Sequence, residues 1–367
     1  MHIVICGAGA IGAATAYFLS RRGAKVTIVE RTGVACAASG KSGGFLARDW
    51  CDGTPLEPLA RRSFDLHAEL AEEIDDDWGY RRLTTYGGFR DPHRQAAGGR
   101  AGPGWLSDRV AVTQRLGLPA TTAQVHPARF TAALLRAAEA RGVELRLGEV
   151  AGLAIEAGQV HGVIVDGATI AADAVVIAMG PWSILAAAWL RLPAVYGLKG
   201  HSLVFDTGGS VPAEAAFIEY REASGAIQSP ELFPRPDGTT YVCAISSESP
   251  LPLDPAVVVP DPGAIERLEA MCRDMSPVLA EAKILARQAC FRPVTRDGLP
   301  LIGAVPGIAG AYVATGHSVW GILNAPATGE AVAELIIGGT AQTVDLAPFD
   351  PARLPPFDPA RLRSNAS

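Results

Sequence analysis

Three glycines, Gly7, Gly9 and Gly12, stand in a Gly-x-Gly-x-x-Gly pattern with Ala10 and Ile11 between the last two, and a carboxylate, Glu30, follows 18 residues after Gly12. A glycine at the first position allows a tight turn. One at the second lets backbone approach a pyrophosphate, and one at the third lets a helix pack close to a strand. A carboxylate at the end of the next strand accepts hydrogen bonds from both ribose hydroxyls and repels a 2′-phosphate. Together these residues, with Arg31 at the same edge, have the chemistry of dinucleotide binding. A second glycine-rich stretch, Ser39-Gly40-Lys41-Ser42-Gly43-Gly44, also has the composition of an anion-wrapping loop, and its Gly-Lys-Ser matches the end of a P-loop.

The P-loop reading fails on spacing. That motif needs a glycine five residues before its Gly-Lys-Ser, directly after a strand. Ala35 stands there instead, and the preceding strand ends at Glu30, already committed to the ribose. A nicotinamide enzyme has no evident use for a second glycine nest at this edge. An FAD enzyme does, because its flavin end extends past the pyrophosphate and must lie against backbone. The competing reading is a plain surface loop.

The elements that must position these residues are legible. Ile3–Cys6 is a short, continuously apolar run of the kind a buried parallel strand needs. A helix follows to about Arg22, closed by Gly23, and a second strand runs over residues 25–29. Helices are expected over 57–78, 127–141, 262–275 and 322–337, a meander over 151–172, and a buried strand over 174–179 that runs into Gly180-Pro181-Trp182. Residues 92–108, rich in Gly, Pro and Arg, read as a loop or mobile segment. Short alternating strands over about 200–246 suggest an antiparallel sheet inserted into the nucleotide-binding part. The tail repeats seven letters, Pro348 to Leu354 and again Pro356 to Leu362, and reads as an extended surface wrap. The expected fold is α/β (α+β overall), with a Rossmann-type nucleotide-binding domain from residues 1–80, 120–192 and 286–367 and a roof domain from 81–119 and 193–285.

Composition narrows the partners. The chain of 367 residues carries a net charge of −6, which argues against a nucleic-acid backbone as partner. Its six cysteines form no Cys-x-x-Cys pair, so neither a metal site nor a disulfide framework is expected, and a cytoplasmic setting with reduced thiols fits better. No apolar stretch is long enough for a membrane span.

Five separated segments now point one way: Gly7–Glu30, Ser39–Gly44, Ala178–Ser183, "FRPVTRDGLPLIG" at 291–303 and "TGHSVWGILNAPATGE" at 315–330. In order and spacing they resemble the FAD-dependent amine oxidoreductases of the D-amino-acid oxidase, glycine oxidase and sarcosine oxidase group, over nearly the whole chain. The resemblance implies an FAD-binding Rossmann-type domain roofed by an antiparallel sheet. It also implies hydride transfer to the flavin from the carbon bearing an amine, with hydrolysis of the resulting imine, and electrons passing to O2 or another acceptor. Carried over residue by residue, Gly7, Gly9 and Gly12 become pyrophosphate ligands and Glu30 the ribose ligand. Ser39, Gly40, Lys41, Ser42, Gly43 and Gly44 line the flavin and ribityl chain, and Val150 meets adenine. Gly180 and Trp182 form a second glycine turn. Gly316, Ser318, Val319, Trp320, Gly321 and Ile322 lead into a helix N-terminus facing the flavin pyrimidine, where N–H groups and a positive dipole end favour the anionic reduced ring.

The same resemblance marks catalytic candidates. Arg292, in Arg292-Pro293, corresponds to the carboxylate-binding arginine of glycine oxidase-like members; a structural ion pair is its alternative. Glu231 stands where the family often has a tyrosine (Tyr-x-x-Pro-Arg against Glu231-Leu-Phe-Pro-Arg here), which puts simple glycine-like substrates in doubt. It either binds a second amine or is a solvent-exposed glutamate. Tyr220 and Tyr241 are alternative pocket aromatics. Lys41, His201 and His317 are sources of positive charge near the flavin, or structural residues. Cys290-Phe291-Arg292-Pro293 mixes two branches: its cysteine stands where sarcosine oxidase-like members link flavin covalently, its Arg-Pro matches the branch that holds FAD noncovalently, and noncovalent FAD is expected. A small amine or amino acid is the implied substrate. An FAD fold recruited as a binding or assembly module without turnover is the alternative. A nicotinamide dehydrogenase leaves residues 39–44 and 315–322 unexplained.

Overall fold

The computed structural model describes residues 1–94, 102–358 and 360. Within the expected 92–108 loop, residues 95–101 lie outside the described residues, as do 359 and 361–367 of the second tail repeat.

A six-stranded sheet carries the nucleotide-binding lobe, in the order Leu301–Ala304, Ala311–Thr315, Ala174–Ile177, His2–Cys6, Lys25–Glu30 and Glu144–Leu147. All neighbours pair in parallel except the first two strands, which are antiparallel. The continuous apolar run of the first strand follows from what covers it. Ile3 and Ile5 join a core with the helices Ala10–Arg21, Pro127–Glu139 and Gly321–Gly338. Val4 and Cys6 face the other way, onto Val160, Val163 and Val165 of a three-stranded antiparallel meander. With both faces covered from Ile3 to Cys6, only His2 at the strand's start is polar, and it bonds Thr27 Oγ1 at 2.9 Å.

A second, larger sheet roofs the first lobe. Its order is Lys283–Val294, Tyr196–Asp206, Thr239–Ser247, Glu231–Pro234, Glu214–Arg221, Thr84–Arg90 and Ala111–Gly117, with Ile227–Gln228 beside Glu214–Arg221. It is antiparallel apart from one pair: Thr84–Arg90 runs parallel to Glu214–Arg221. Parallel neighbours need a crossover, and here the chain passes through the nucleotide-binding lobe between them. The strand Lys283–Val294 crosses the expected domain boundary at residue 286 and pairs with Tyr196–Asp206 along its whole length, so it belongs to the roof sheet.

Two elements differ from expectation. The helix expected over 57–78 spans Glu57–Glu73 and is capped at Ile74. The adjacent carboxylates Asp75, Asp76 and Asp77 would stand at its negative dipole end, which disfavours extending it. The described tail is not simply extended: short 3-10 turns form at Ala347–Phe349 and Pro351–Arg353, Phe349 is fully buried, and Arg353 pairs with Asp297 at 2.7 Å.

Candidate active site

The carboxyl ends of the parallel strands and the underside of the roof sheet enclose a long cleft whose empty volume, mouth included, is about 1660 Å³.

At one end the first strand delivers its glycine turn. Gly7 has φ +110°, and a Cβ there would lie 2.4 Å from the carbonyl oxygen of Ala178, so only glycine fits where the first strand meets the Ala174–Ile177 strand. Gly12 sits behind the wall, where a Cβ would come within 2.0 Å of Gly7 O; it brings the helix onto the turn and does not face the cleft. Gly9, Ala10 and Ile11 line the cleft. The Ala10 N–H donates to Ser39 Oγ at 2.9 Å. The Ile11 N–H has no carbonyl within the helix to bind, which leaves a donor at a positive dipole end for a phosphate. Glu30 also lines the cleft, its carboxylate fixed by the N–H groups of Ala8 at 2.8 Å and Thr32 at 2.9 Å. Val150 and Arg31 lie beyond it. The Arg31 guanidinium is engaged by Glu149 and by Leu253 O.

The Ser39–Gly44 stretch divides in two. Ser39, Ser42 and Gly43 line the cleft; Gly40, Lys41 and Gly44 do not. Gly40 packs on Ala35, where a Cβ would sit 2.1 Å from the carbonyl oxygen, and Gly44 on Val125 O, at 2.0 Å. Lys41 Nζ donates to Ala289 O of the roof at 3.3 Å, which is a structural role. Arg235, buried, donates to Ser42 O at 2.9 Å and ties the loop to the roof sheet.

The second glycine turn and the last helix meet in the middle of the cleft. Gly180, Trp182, Ser318, Val319, Gly321 and Ile322 line it. Thr315 Oγ1 donates to Gly180 O at 2.9 Å and fastens the two turns together. Gly316 packs against Thr295, and Trp320 turns edge-on to Trp50, with ring centroids 6.4 Å apart; neither faces the cleft.

The roof sheet supplies the reactive end. Arg292, Glu231, Cys290, Cys243, Tyr241 and His201 line it, and His317 faces them from the floor. Cys290 and Arg292 share one face, as strand alternation requires. Arg292 makes no ion pair among the described residues; its Nη1 donates to Ser246 Oγ at 3.0 Å. The structural ion pair is therefore not its role here. Glu231 is not the solvent-exposed glutamate either. Burial pushes its carboxyl above the ordinary range, Arg292 pulls it back in part, and Cys243 Sγ lies 3.5 Å from Oε2.

His317 does not supply positive charge. His317 is buried, its pKa drawn down to about 3 by desolvation; Nε2 bonds Thr328 Oγ1 at 3.0 Å and Nδ1 has no protein partner. His201 spends both ring nitrogens within the protein, Nδ1 on Ile245 O at 2.9 Å and Nε2 on the Asp261 N–H at 3.0 Å. Tyr220 bonds Asp274 at 3.0 Å and packs in the roof core, away from the cleft. Tyr241 is the pocket aromatic.

Two wall segments carried no local sequence signal. Leu253 and Pro255 come from a strap over the cleft, pinned by Trp182 Nε1 on Pro252 O at 2.7 Å. Cys243 reaches the site only through the pairing of its strand with Glu231–Pro234.

The cleft fits FAD: a free helix N-terminus, a fixed ribose carboxylate and glycine-lined backbone succeed one another along it. Comparisons with known proteins agree. The family profile described as "FAD dependent oxidoreductase" matches residues 2–335. The glycine oxidase of Geobacillus kaustophilus is 29% identical over 380 residues, covering 96% of each chain. A Schizosaccharomyces pombe chain named only as an oxidoreductase is 29% identical over 379 residues, covering 95% of this chain and 97% of that one. The crystal structure of the Geobacillus kaustophilus glycine oxidase superposes with a TM-score of 0.79 at 27% identity, over 95% of this chain and 97% of that one. With its family profile spanning nearly the whole sequence and its cleft built for the same cofactor, this chain belongs to the FAD-dependent oxidoreductase family, as an enzyme of the amino-acid oxidase type.

Proposed function

We propose that this enzyme oxidises the C–N bond of a small amine-bearing acid whose carboxylate is held by Arg292. The observation that carries the proposal is a guanidinium lining the cleft with no carboxylate of its own. Its planar fork matches a carboxylate bidentately, and the low-dielectric wall around it strengthens that contact. Bound FAD would supply the two-electron oxidation of the C–N bond, and the resulting imine would be hydrolysed by water. The chain's own task is to hold and orient. Arg292 fixes one end of the substrate, and the roof strands exclude bulk water. His317, neutral and at the end of the cleft, presents a nitrogen without a protein partner.

The proposed division of labour follows the two sheets. Residues 1–80 and 120–192, with the chain after Val294, bind FAD; residues 81–119 and 193–294 roof it. Noncovalent FAD is part of the proposal, since Cys290-Phe291-Arg292-Pro293 keeps the Arg-Pro of the noncovalent branch.

The test is anaerobic bleaching of the flavin by amino acids and N-methyl amino acids. Arg292→Lys keeps the charge and loses the fork. The loss of a charged hydrogen bond, about 1.5–3 kcal/mol, predicts an apparent substrate constant raised about ten- to a hundredfold. Identical bleaching of Arg292→Lys and parent by the best acidic substrate removes the assignment. FAD bound tightly and reduced by no amine points instead to a binding module.

A further inference from the structure

Glu231 is the unexplained charge of the cleft. It stands on the strand Glu231–Pro234 and lines the same chamber as Arg292. Among the described residues no Lys, Arg or His lies within 4 Å of its carboxylate, Arg292 acting on it only from farther off, and its one hydrogen-bond partner is the Cys243 thiol. Its neighbours Leu232 and Phe233 are fully packed, so the strand is well fixed. A desolvated carboxylate without a cation is costly, and such a group either stays protonated or meets its cation in a ligand.

The geometry sets the spacing. The Arg292 side chain lies across Gly200, where a Cβ would come within 3.0 Å of Nη2, and reaches Ser246 on the strand Thr239–Ser247. Glu231 pairs with Cys243 of that same strand. Ser246 is three residues beyond Cys243, with Ile245 (φ +38°) bulged out of the pairing between them. The two charges therefore face one chamber without touching, close enough that each biases the ionisation of the other. A carboxylate beside the reacting amine would hold that amine protonated and unable to release hydride, so Glu231 suits a second cationic group of the ligand.

We propose that Glu231 and Arg292 form a two-ended clamp, and that the substrate is an amino acid with a second cationic group, an ammonium or guanidinium, at the far end of its side chain. This rests on the oxidase reading above and names its substrate class. Arg292 takes the carboxylate, Glu231 takes the distal cation, and the reacting amine lies between them. Gly200 is part of the device, because any side chain there would push the guanidinium away from its position.

The experiment uses the FAD-loaded full chain and two readouts: perturbation of the flavin spectrum on binding, and the rate of anaerobic reduction. The probes are both enantiomers of lysine, ornithine and arginine, with norleucine as the neutral isostere of lysine. The parent is expected to favour lysine or a relative over norleucine. Glu231→Gln, which keeps size and removes charge, is expected to lower the lysine-to-norleucine ratio of apparent affinities about ten- to a hundredfold, the worth of a charged hydrogen bond. Arg292→Lys is expected to weaken both probes. A ratio unchanged by Glu231→Gln, or a parent that favours norleucine, overturns the clamp. The two readings separate cleanly. Reduction by neutral amino acids alone keeps the oxidase and removes the clamp; Glu231-dependent binding of lysine with no reduction by any probe keeps the clamp and removes the oxidase.

Discussion

His67, His126 and His317 are all held neutral by burial, the first two with pKa values lowered to about 4 and the third to about 3; for His126 the Arg235 charge adds to desolvation. An unfolded chain protonates these rings near pH 6.5, while the folded chain does not until far lower. Each ring therefore withdraws stability as pH falls from about 6.5 towards its folded value, about 1.4 kcal/mol per pH unit per group. Glu231, whose folded pKa is raised, works in the opposite sense just above the ordinary carboxylate range. The melting temperature is expected to fall steeply between pH 6.5 and 4. His67 donates from Nε2 to Ile322 O at 3.0 Å, so His67→Gln keeps a donor and removes one titrating group. Its melting profile should be flatter by about one group's share; an unchanged slope removes His67 from the account.

Among the elements, the pairing of the helices Ala10–Arg21 and Gly321–Gly338 fixes the floor of the cleft. Their approach depends on Gly329, where a Cβ would lie 2.6 Å from the carbonyl carbon of Ala14. Backbone cannot yield as a flexible side chain does. Gly329→Ala should therefore cost about 1–3 kcal/mol despite the gain in helix propensity, and should loosen FAD by shifting the last helix. Gly338, in the last turn of the same helix, has open space at its Cβ position. Gly338→Ala should be neutral, or stabilising by up to about 1 kcal/mol. Chemical denaturation of the two variants checks the contrast, and equal effects refute the packing argument. This close approach went unseen in the sequence, because "ATGEAVAEL" reads simply as helix and no local pattern says which backbone lies opposite.

For the molecule as a whole, the two lobes meet around a single cofactor. The flavin released on denaturation should be FAD and not FMN, since Glu30 and the glycine turn serve an adenosine half that FMN lacks. Acid precipitation should leave all the yellow colour in the supernatant. Cys290 lines the cleft with its thiol pKa raised by burial, so the nucleophilic thiolate is disfavoured. A yellow pellet, with a Cys290 peptide heavier by one flavin, contradicts noncovalent binding. Among the described residues no helix is long and apolar enough to cross a membrane.

Local chemistry alone was enough for the dinucleotide half of the site. A turn glycine, a helix start and a strand-end carboxylate lie within thirty residues, and their types and spacing carry the pattern. Gly7, Gly9 and Glu30 could be read for that reason. Tertiary structure decided the substrate end, where the residues come from strands far apart in the chain. Only the tertiary structure shows that Glu231 lies beside Cys243, that Arg292 crosses Gly200 to reach Ser246, and that Lys41 and Trp320 point out of the cleft. Whether a glutamate is solvated or buried without a cation depends on what the other strands bring over it. Desolvation is a property of the assembled fold, so the raised pKa of Glu231 became visible only there.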